Sequence, residues 1–186
     1  MSGQTKWRID GSHSAAEFAV KHLMISTVKG HFANVTGSVT VDEANPAKAS
    51  VNVTIDVGSV DTRDEKRDAH LKSADFFDVQ RFPTITFRGK RIDGSIDGEF
   101  KLVGDLTIRD VTREVTLNVE AAGSVTDPWG GERTGFAATT KINRKDFGLT
   151  WNVALETGGV LVGDEVKISI EVELVKEAAK EAVAAG

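Results

Sequence analysis

Four histidines, a serine and a few arginines are the residues here whose types could do chemistry. His13, His22 and His31 recur nine residues apart. Zinc and copper sites draw on short ligand spacings, and no carboxylate is paired with these imidazoles in sequence, so no metal is expected. Asp10, Ser12 and His13 supply the residue types of a hydrolytic triad, but crowding along the chain is not triad geometry. No Gly-x-Ser-x-Gly elbow or phosphate-binding loop accompanies them. A small-molecule hydrolase or isomerase is the alternative reading, and no catalytic residue is assigned. His13, between two serines, could donate to a ligand head group or satisfy backbone carbonyls. His70, beside Arg67 and Leu71, is the better head-group candidate. Arg63 and Arg144 could pair with a phosphate. Each also has an acidic neighbour, Asp64 and Asp146, and could equally hold a loop in place.

These side chains must be positioned by strands. The chain has 186 residues, the usual size of one domain, and is read as a single domain over 1–186 with a tail from about 176. Two-residue alternation dominates, the mark of strands with one buried face. Val51, Val53, Ile55 and Val57 alternate with Asn52, Thr54 and Asp56. Phe100, Leu102, Leu106 and Ile108 follow the same rule, as do Val115, Leu117 and Val119, and Val166 through Leu174. The runs fall at 6–22 (bent near Gly11), 27–42, 49–59, 84–92, 99–109, 113–122, 133–143 and 164–175. Turns at 42–46, 93–98 and 127–131 separate several of them. Short connections imply an antiparallel meander. The fold expected is all-β: an eight-stranded antiparallel barrel with one or two short helices.

Two segments do not alternate. Residues 61–82 carry Thr62 and Glu65 as a capping box, then Phe76-Phe77 and Phe82-Pro83. Residues 143–163 are glycine-spaced and carry Phe147, Leu149 and Trp151. Both are expected to fold aromatics over the barrel mouth, with cationic or imidazole groups beside them. The alanine-rich stretch from Glu177 to Gly186 is expected to be a frayed helix.

Eight strands enclose an interior that side chains can fill or that can hold one slim ligand. Gly37 and Gly104 stand where alternation calls for an apolar side chain, which bends the sheet or leaves room. Packed core and ligand cavity share one alternating pattern, so periodicity leaves both open.

Composition closes other routes. There is no cysteine, which excludes disulfides, thiolate metal sites and cysteine nucleophiles. A net charge of −5 disfavours nucleic acid as a partner. No apolar run approaches the roughly 20 residues of a membrane helix, so stable membrane insertion is not expected. The first residues do not read as a signal peptide, which gives a cytoplasmic expectation, or a periplasmic one if a leader has been removed.

One resemblance joins these pieces. Trp7-Arg8-Ile9-Asp10-Gly11-Ser12-His13-Ser14, with Phe18, Val20 and His22-Leu23, resembles the opening of the YceI-like family. Lys29-Gly30-His31-Phe32, the stretch Asp61 to Asp64, and His70-Leu71-Lys72-Ser73-Ala74-Asp75-Phe76-Phe77-Asp78 continue it. Phe82-Pro83, Thr86-Phe87, the Gly104–Arg109 strand and Ile142-Asn143-Arg144-Lys145-Asp146-Phe147-Gly148 complete it. The resemblance covers residues 6 to 175. It implies a lipocalin-like barrel, often a homodimer, that binds a polyisoprenoid, isoprenoid quinone or polyprenyl phosphate inside, for storage, transport or sensing. No cofactor is implied beyond that lipid. Asp110 stands where the family usually has glycine, so a different turn after Arg109 is expected.

On this reading the cavity is lined by Phe18, Val20, Val53, Ile55, Phe87, Phe100, Leu102, Phe136, Ile168 and Ile170. The mouth and head-group site would comprise His13, Arg63, His70, Phe76, Phe77, Arg144 and Trp151.

Overall fold

The computed structural model describes residues 3–178. Eleven strands form one antiparallel sheet: β1 (Gln4–Ile9), β2 (Ala15–His22), β3 (Ser26–Phe32), β4 (Val35–Asp42), β5 (Ser50–Asp56), β6 (Val60–Asp61), β7 (Thr84–Gly94), β8 (Glu99–Ile108), β9 (Val111–Thr126), β10 (Glu132–Asn143) and β11 (Val162–Lys176). β1 and β2 are halves of one bent run, as are β3 and β4, while β5 leads into β6 through a single 3-10 turn. The ring β1-β4-β5-β7-β8-β9-β10-β11 closes through β1–β11, an eight-stranded barrel.

Closure depends on the bend after Asp10. One edge of β11 pairs with β1 at Ile9↔Leu174 and with β2 from Val166↔Val20 to Glu171↔Ala15. The one continuous strand thus spans both halves of the bent one. Asp10 caps the intervening 3-10 turn by accepting from the Ser12 amide at 3.0 Å. Its other oxygen accepts from Arg133 Nη1 at 2.9 Å, and the same guanidinium bonds Glu173 at 2.6 Å and Asp127 at 2.9 Å. One arginine therefore ties the first, ninth, tenth and eleventh elements of the sheet at one end of the barrel.

The opposite wall is incomplete. β5 pairs with β7 only as far as Asp56↔Thr84, and β6 turns away to pair with β3. The residues between β6 and β7 cover the gap. They include α1 (Glu65–Lys72), whose N-cap is Asp64, accepting from the Arg67 amide. The expected capping box is thus corrected. The Thr62 hydroxyl instead donates to Asp68 at 2.6 Å and accepts from Arg67 Nε at 2.8 Å, and the Thr62 amide also donates to Asp68. The shorter Asp64 side chain, next to the first helical residue, is better placed to cap.

At the β8–β9 turn the left-handed residue is Arg109, with φ 56°. Asp110 is not left-handed, so the position where glycine is usual carries no strain. The helix expected from Glu177 lies, from residue 179 on, outside the described residues.

The Ser12 hydroxyl, then the Arg133 guanidinium and His13, hold the Asp10 carboxyl well below the usual carboxylate range. A carboxyl depressed in the folded state stabilises the fold above its unfolded pKa, and that contribution disappears as pH falls below it. Asp10→Asn is therefore expected to lower the melting temperature at neutral pH. The gap from the parent should stay constant on acidification and close only below about pH 4. Thermal melts across that range check it.

Candidate functional site

The barrel is hollow. A cavity of about 870 Å³ runs along its axis, lined overwhelmingly by aliphatic and aromatic side chains. All ten residues expected to line an interior do so, from Phe18 and Val20 to Ile168 and Ile170. Eight of the ten are only half-buried; Phe87 and Leu102 alone are buried. Inward side chains of a filled core would be sealed from water by their neighbours. Partial exposure on the inner face marks space that the protein's own side chains leave open, and so separates cavity from core.

Two inward glycines shape that space without enlarging it. A Cβ on Gly30 would strike the Phe18 ring, and one on Gly104 would strike Phe87. Each glycine lets a phenylalanine from the neighbouring strand lie flat against the wall. Gly104 therefore accommodates an aromatic ring instead of adding free volume.

The end of the barrel nearest α1 carries an aromatic rim. His70 stands edge-on to Trp151 at 4.6 Å between centroids and to Phe76 at 5.0 Å, and Phe76 meets Trp151 at 5.4 Å. Phe77 packs on Phe32, which packs on Phe18, continuing the aromatic surface inward. His70, Phe76, Phe77, Arg144 and Trp151 all line the cavity. The His70 Nε2–H donates to Asp75 at 2.9 Å, since a carboxylate only accepts. Arg67, whose Nε and Nη2 bond Thr62, also lines the cavity; the sequence reading passed over it as a head-group candidate. Its position one helical turn before Leu71, on the same face, was the signal available.

Arg144 belongs to the rim but faces the protein. Its side chain is 4% exposed. Nε donates to the Gly163 carbonyl at 2.8 Å, Nη1 to those of Leu149 and Trp151 at 2.6 and 2.9 Å, and Nη2 to that of Val162 at 3.3 Å. Burial lowers its pKa, and Asp164 at 3.7 Å opposes that effect. The guanidinium is a staple for the segment between β10 and β11, which corrects its assignment to a head group.

His13 and Arg63 require correction too. Neither lines the cavity. His13 is exposed at the bend, and Arg63 is an exposed residue with φ 63° whose amide donates to Asp61. The His13 Nδ1 faces both Ser12 Oγ at 3.0 Å and Asp10 Oδ2 at 3.1 Å. A triad needs serine and aspartate on opposite ring nitrogens, so this cluster lacks that geometry. The fold also brings Glu173 to Asp10 and His13, with ligand atoms within 4.8 Å of one another. Arg133 already bridges both carboxylates as their counter-ion.

The cavity reaches the far end as well, where Thr5, Asp97, Ser124, Thr134 and Lys176 line it. These polar residues were not anticipated, because they lie where alternation fades at strand ends.

Comparison with known proteins bears on this architecture. The model of the YceI-like domain matches residues 7–174. The chain belongs to the YceI-like family. A UPF0312 protein of Staphylococcus aureus (strain N315) is 42% identical over 170 residues, covering 91% of this chain and 96% of that one. Among solved structures, BcnA of Burkholderia cenocepacia superposes with a TM-score of 0.74 at 26% identity, covering 89% of this YceI-like chain and 98% of its own. The YceI protein of Campylobacter jejuni gives 0.70 at 32% identity, covering 85% and 90%. A polyisoprenoid-binding domain from Saccharophagus degradans shares the fold, with a TM-score of 0.65 at 15% identity over 93% of this chain and 98% of that one.

Arg144→Ala is expected to cost about 2–4 kcal/mol, because four carbonyls lose a charged donor and most are screened from water. Chemical denaturation checks it, and Arg144→Lys, with one nitrogen for three, should recover only part.

Proposed function

We propose that the protein binds one long-chain amphiphilic lipid of the polyisoprenoid type inside the barrel, as a carrier or store and not as an enzyme. The observation that carries this reading is the hollow apolar interior with half-exposed inward side chains. Its volume lies within the range of natural ligand sites, about 300–1,000 Å³. Its length along the barrel axis suits a chain, not a compact solute. An apolar tunnel unoccupied by side chains has a strong drive to take up hydrocarbon, since apolar area contributes about 25 cal/mol per Å² removed from water. The Saccharophagus domain, named for polyisoprenoid binding, supports the class of ligand through its shared fold.

The polar head is assigned to the α1 end. There His70 and Arg67 stand beside the aromatic rim, and a polar group can be paired or stay hydrated. His70, whose Nε2–H is on Asp75, has Nδ1 left as an acceptor for a hydroxyl head group, and Arg67 brings a cation beside it. Neither the exposed Ser12–His13 pair nor any other nucleophile–base pair identified in sequence faces the cavity, which supports binding over turnover.

Mass spectrometry of organic extracts from the purified protein is expected to show a co-purifying long-chain lipid. Leu102→Trp and Val53→Trp, which fill the tunnel from β8 and β5, should together abolish its retention while the fold persists. Retention unchanged by both would remove the cavity from the mechanism. His70→Ala should weaken a prenyl probe with a hydroxyl head more than its head-free analogue, and titration of both probes measures that difference.

A further inference from the structure

The hairpin between β2 and β3 is bonded to the segment that carries Trp151 of the aromatic rim, and its tip is the wrong chemistry for a tip in water. Leu23 and Met24 are successive left-handed residues, with φ 53° and 60°. Tight hairpin turns place asparagine or glycine at such positions, because side chains with a bulky Cβ substituent are strained there. Met24 is 60% exposed and Ile25 83% exposed. The sequence thus keeps two large apolar side chains where backbone strain and hydration both argue against them. Strain and exposure together are commonest where a surface has work to do.

The tip is fixed to the mouth. The Leu23 amide donates to the Leu161 carbonyl at 2.9 Å, and the Leu161 amide donates to the Val153 carbonyl at 3.0 Å. Val153 is itself 45% exposed. Immediately behind these residues, His22, Trp151, Leu161 and Val162 line the cavity. Apolar side chains therefore run from the outer tip to the inside of the tunnel at this one corner. Lys21 and Lys29 are exposed on the two arms of the hairpin, and neither makes an ion pair among the described residues. Apolar residues ahead of free lysines are the pattern of a segment that rests in a lipid head-group layer.

We propose that the β2–β3 tip, with Val153, docks the barrel on an anionic bilayer surface, so that lipid passes between membrane and tunnel without crossing water. The inference rests on the lipid-binding reading and adds the source of the ligand and the face that meets it. A few side chains on two loops are far too small for a stable protein interface, which buries about 800 Å² per partner. They are enough to reach into a head-group layer. Docking of this kind is peripheral, and no helix among the described residues is long and apolar enough to cross a membrane.

The far end supplies the control. Trp129 is 87% exposed on the β9–β10 turn, and the cavity also reaches that end. Asp127 accepts from the Trp129 amide there, but it is paired with Arg133, and Glu132 is paired with Lys176, so among the described residues that end offers an exposed aromatic without unpaired lysines beside it.

The full chain would be floated with phosphatidylcholine vesicles, with and without phosphatidylglycerol. Transfer of a fluorescent prenyl probe from those vesicles would be timed, and probe retention measured separately in detergent. The parent is expected to float preferentially with phosphatidylglycerol. The double variant Met24→Asn with Ile25→Ser should lose vesicle binding and slow transfer by about tenfold or more, as two large apolar side chains leave the interface. Asparagine suits the left-handed position, so the variant should melt no lower than the parent. Its probe retention in detergent should be unchanged, and Trp129→Ser should behave as the parent throughout. Parental transfer by the double variant, or equal slowing by Trp129→Ser, would overturn the proposal. A parent that retains no probe in detergent would overturn the lipid-binding reading itself, and with it this one, so the two failures are told apart.

Discussion

The barrel depends on one strand satisfying two partners. β11 is continuous, the first run is bent, and the ring closes because β11 pairs with the run on both sides of the bend. Unpaired ladder groups on either strand would be exposed edges. The bend must therefore occur at a fixed place and a fixed angle, and Asp10 sets both. Its carboxylate caps the turn with one oxygen and meets Arg133 with the other. The charges at that corner are arranged around geometry: Asp10, Asp127 and Glu173 gather about the one Arg133 guanidinium, with His13 on Asp10.

Closure at that seam permits the hollow interior. A sheet with free edges would collapse onto itself to bury its apolar face, whereas a hydrogen-bonded ring resists collapse through its own ladder. The inner faces of β5, β10 and β11 can then remain half-exposed along the tunnel. The cost in lost packing is borne by the continuous ladder and by the buried part of the core, where Val35, Val57 and Phe147 are almost fully enclosed. Where the ring is incomplete, between β6 and β7, aromatic residues from the connecting segment cover the gap. The site's rim is thus also the weakest part of the wall.

Much of this was legible in the sequence. Strand alternation located the eight runs and the inward set, since period two is a direct consequence of the pleat. Asp10-Gly11 marked the bend. The same alternation could not distinguish hollow from filled, because that depends on the diameter of the ring and not on which residues face it. His13 and Arg63 were misplaced for a related reason. Neither the place of His13 at a bend between two serines nor that of Arg63 in a rim segment says on which side of a wall one residue thick a side chain lies. For Arg144 the sequence left head group and loop anchor open, because its four acceptors are main-chain atoms between Leu149 and Gly163, and backbone carbonyls leave no compositional trace. Thr62 was assigned the cap that Asp64 provides because both fit a capping pattern, and only the chain path decides between them.

That grip on the main chain reaches beyond stability. A staple that holds carbonyl oxygens is indifferent to the side chains of the residues it holds. Leu149, Trp151 and Val162 can each be exchanged without releasing the Arg144 guanidinium, because the bonds go to atoms every amino acid possesses. Anchor and selectivity are thereby separated: the segment keeps its path while the side chains it presents to the tunnel can drift. A lineage built on this barrel can retune what it admits through single substitutions at the rim, and Arg144 gives those substitutions a constant frame.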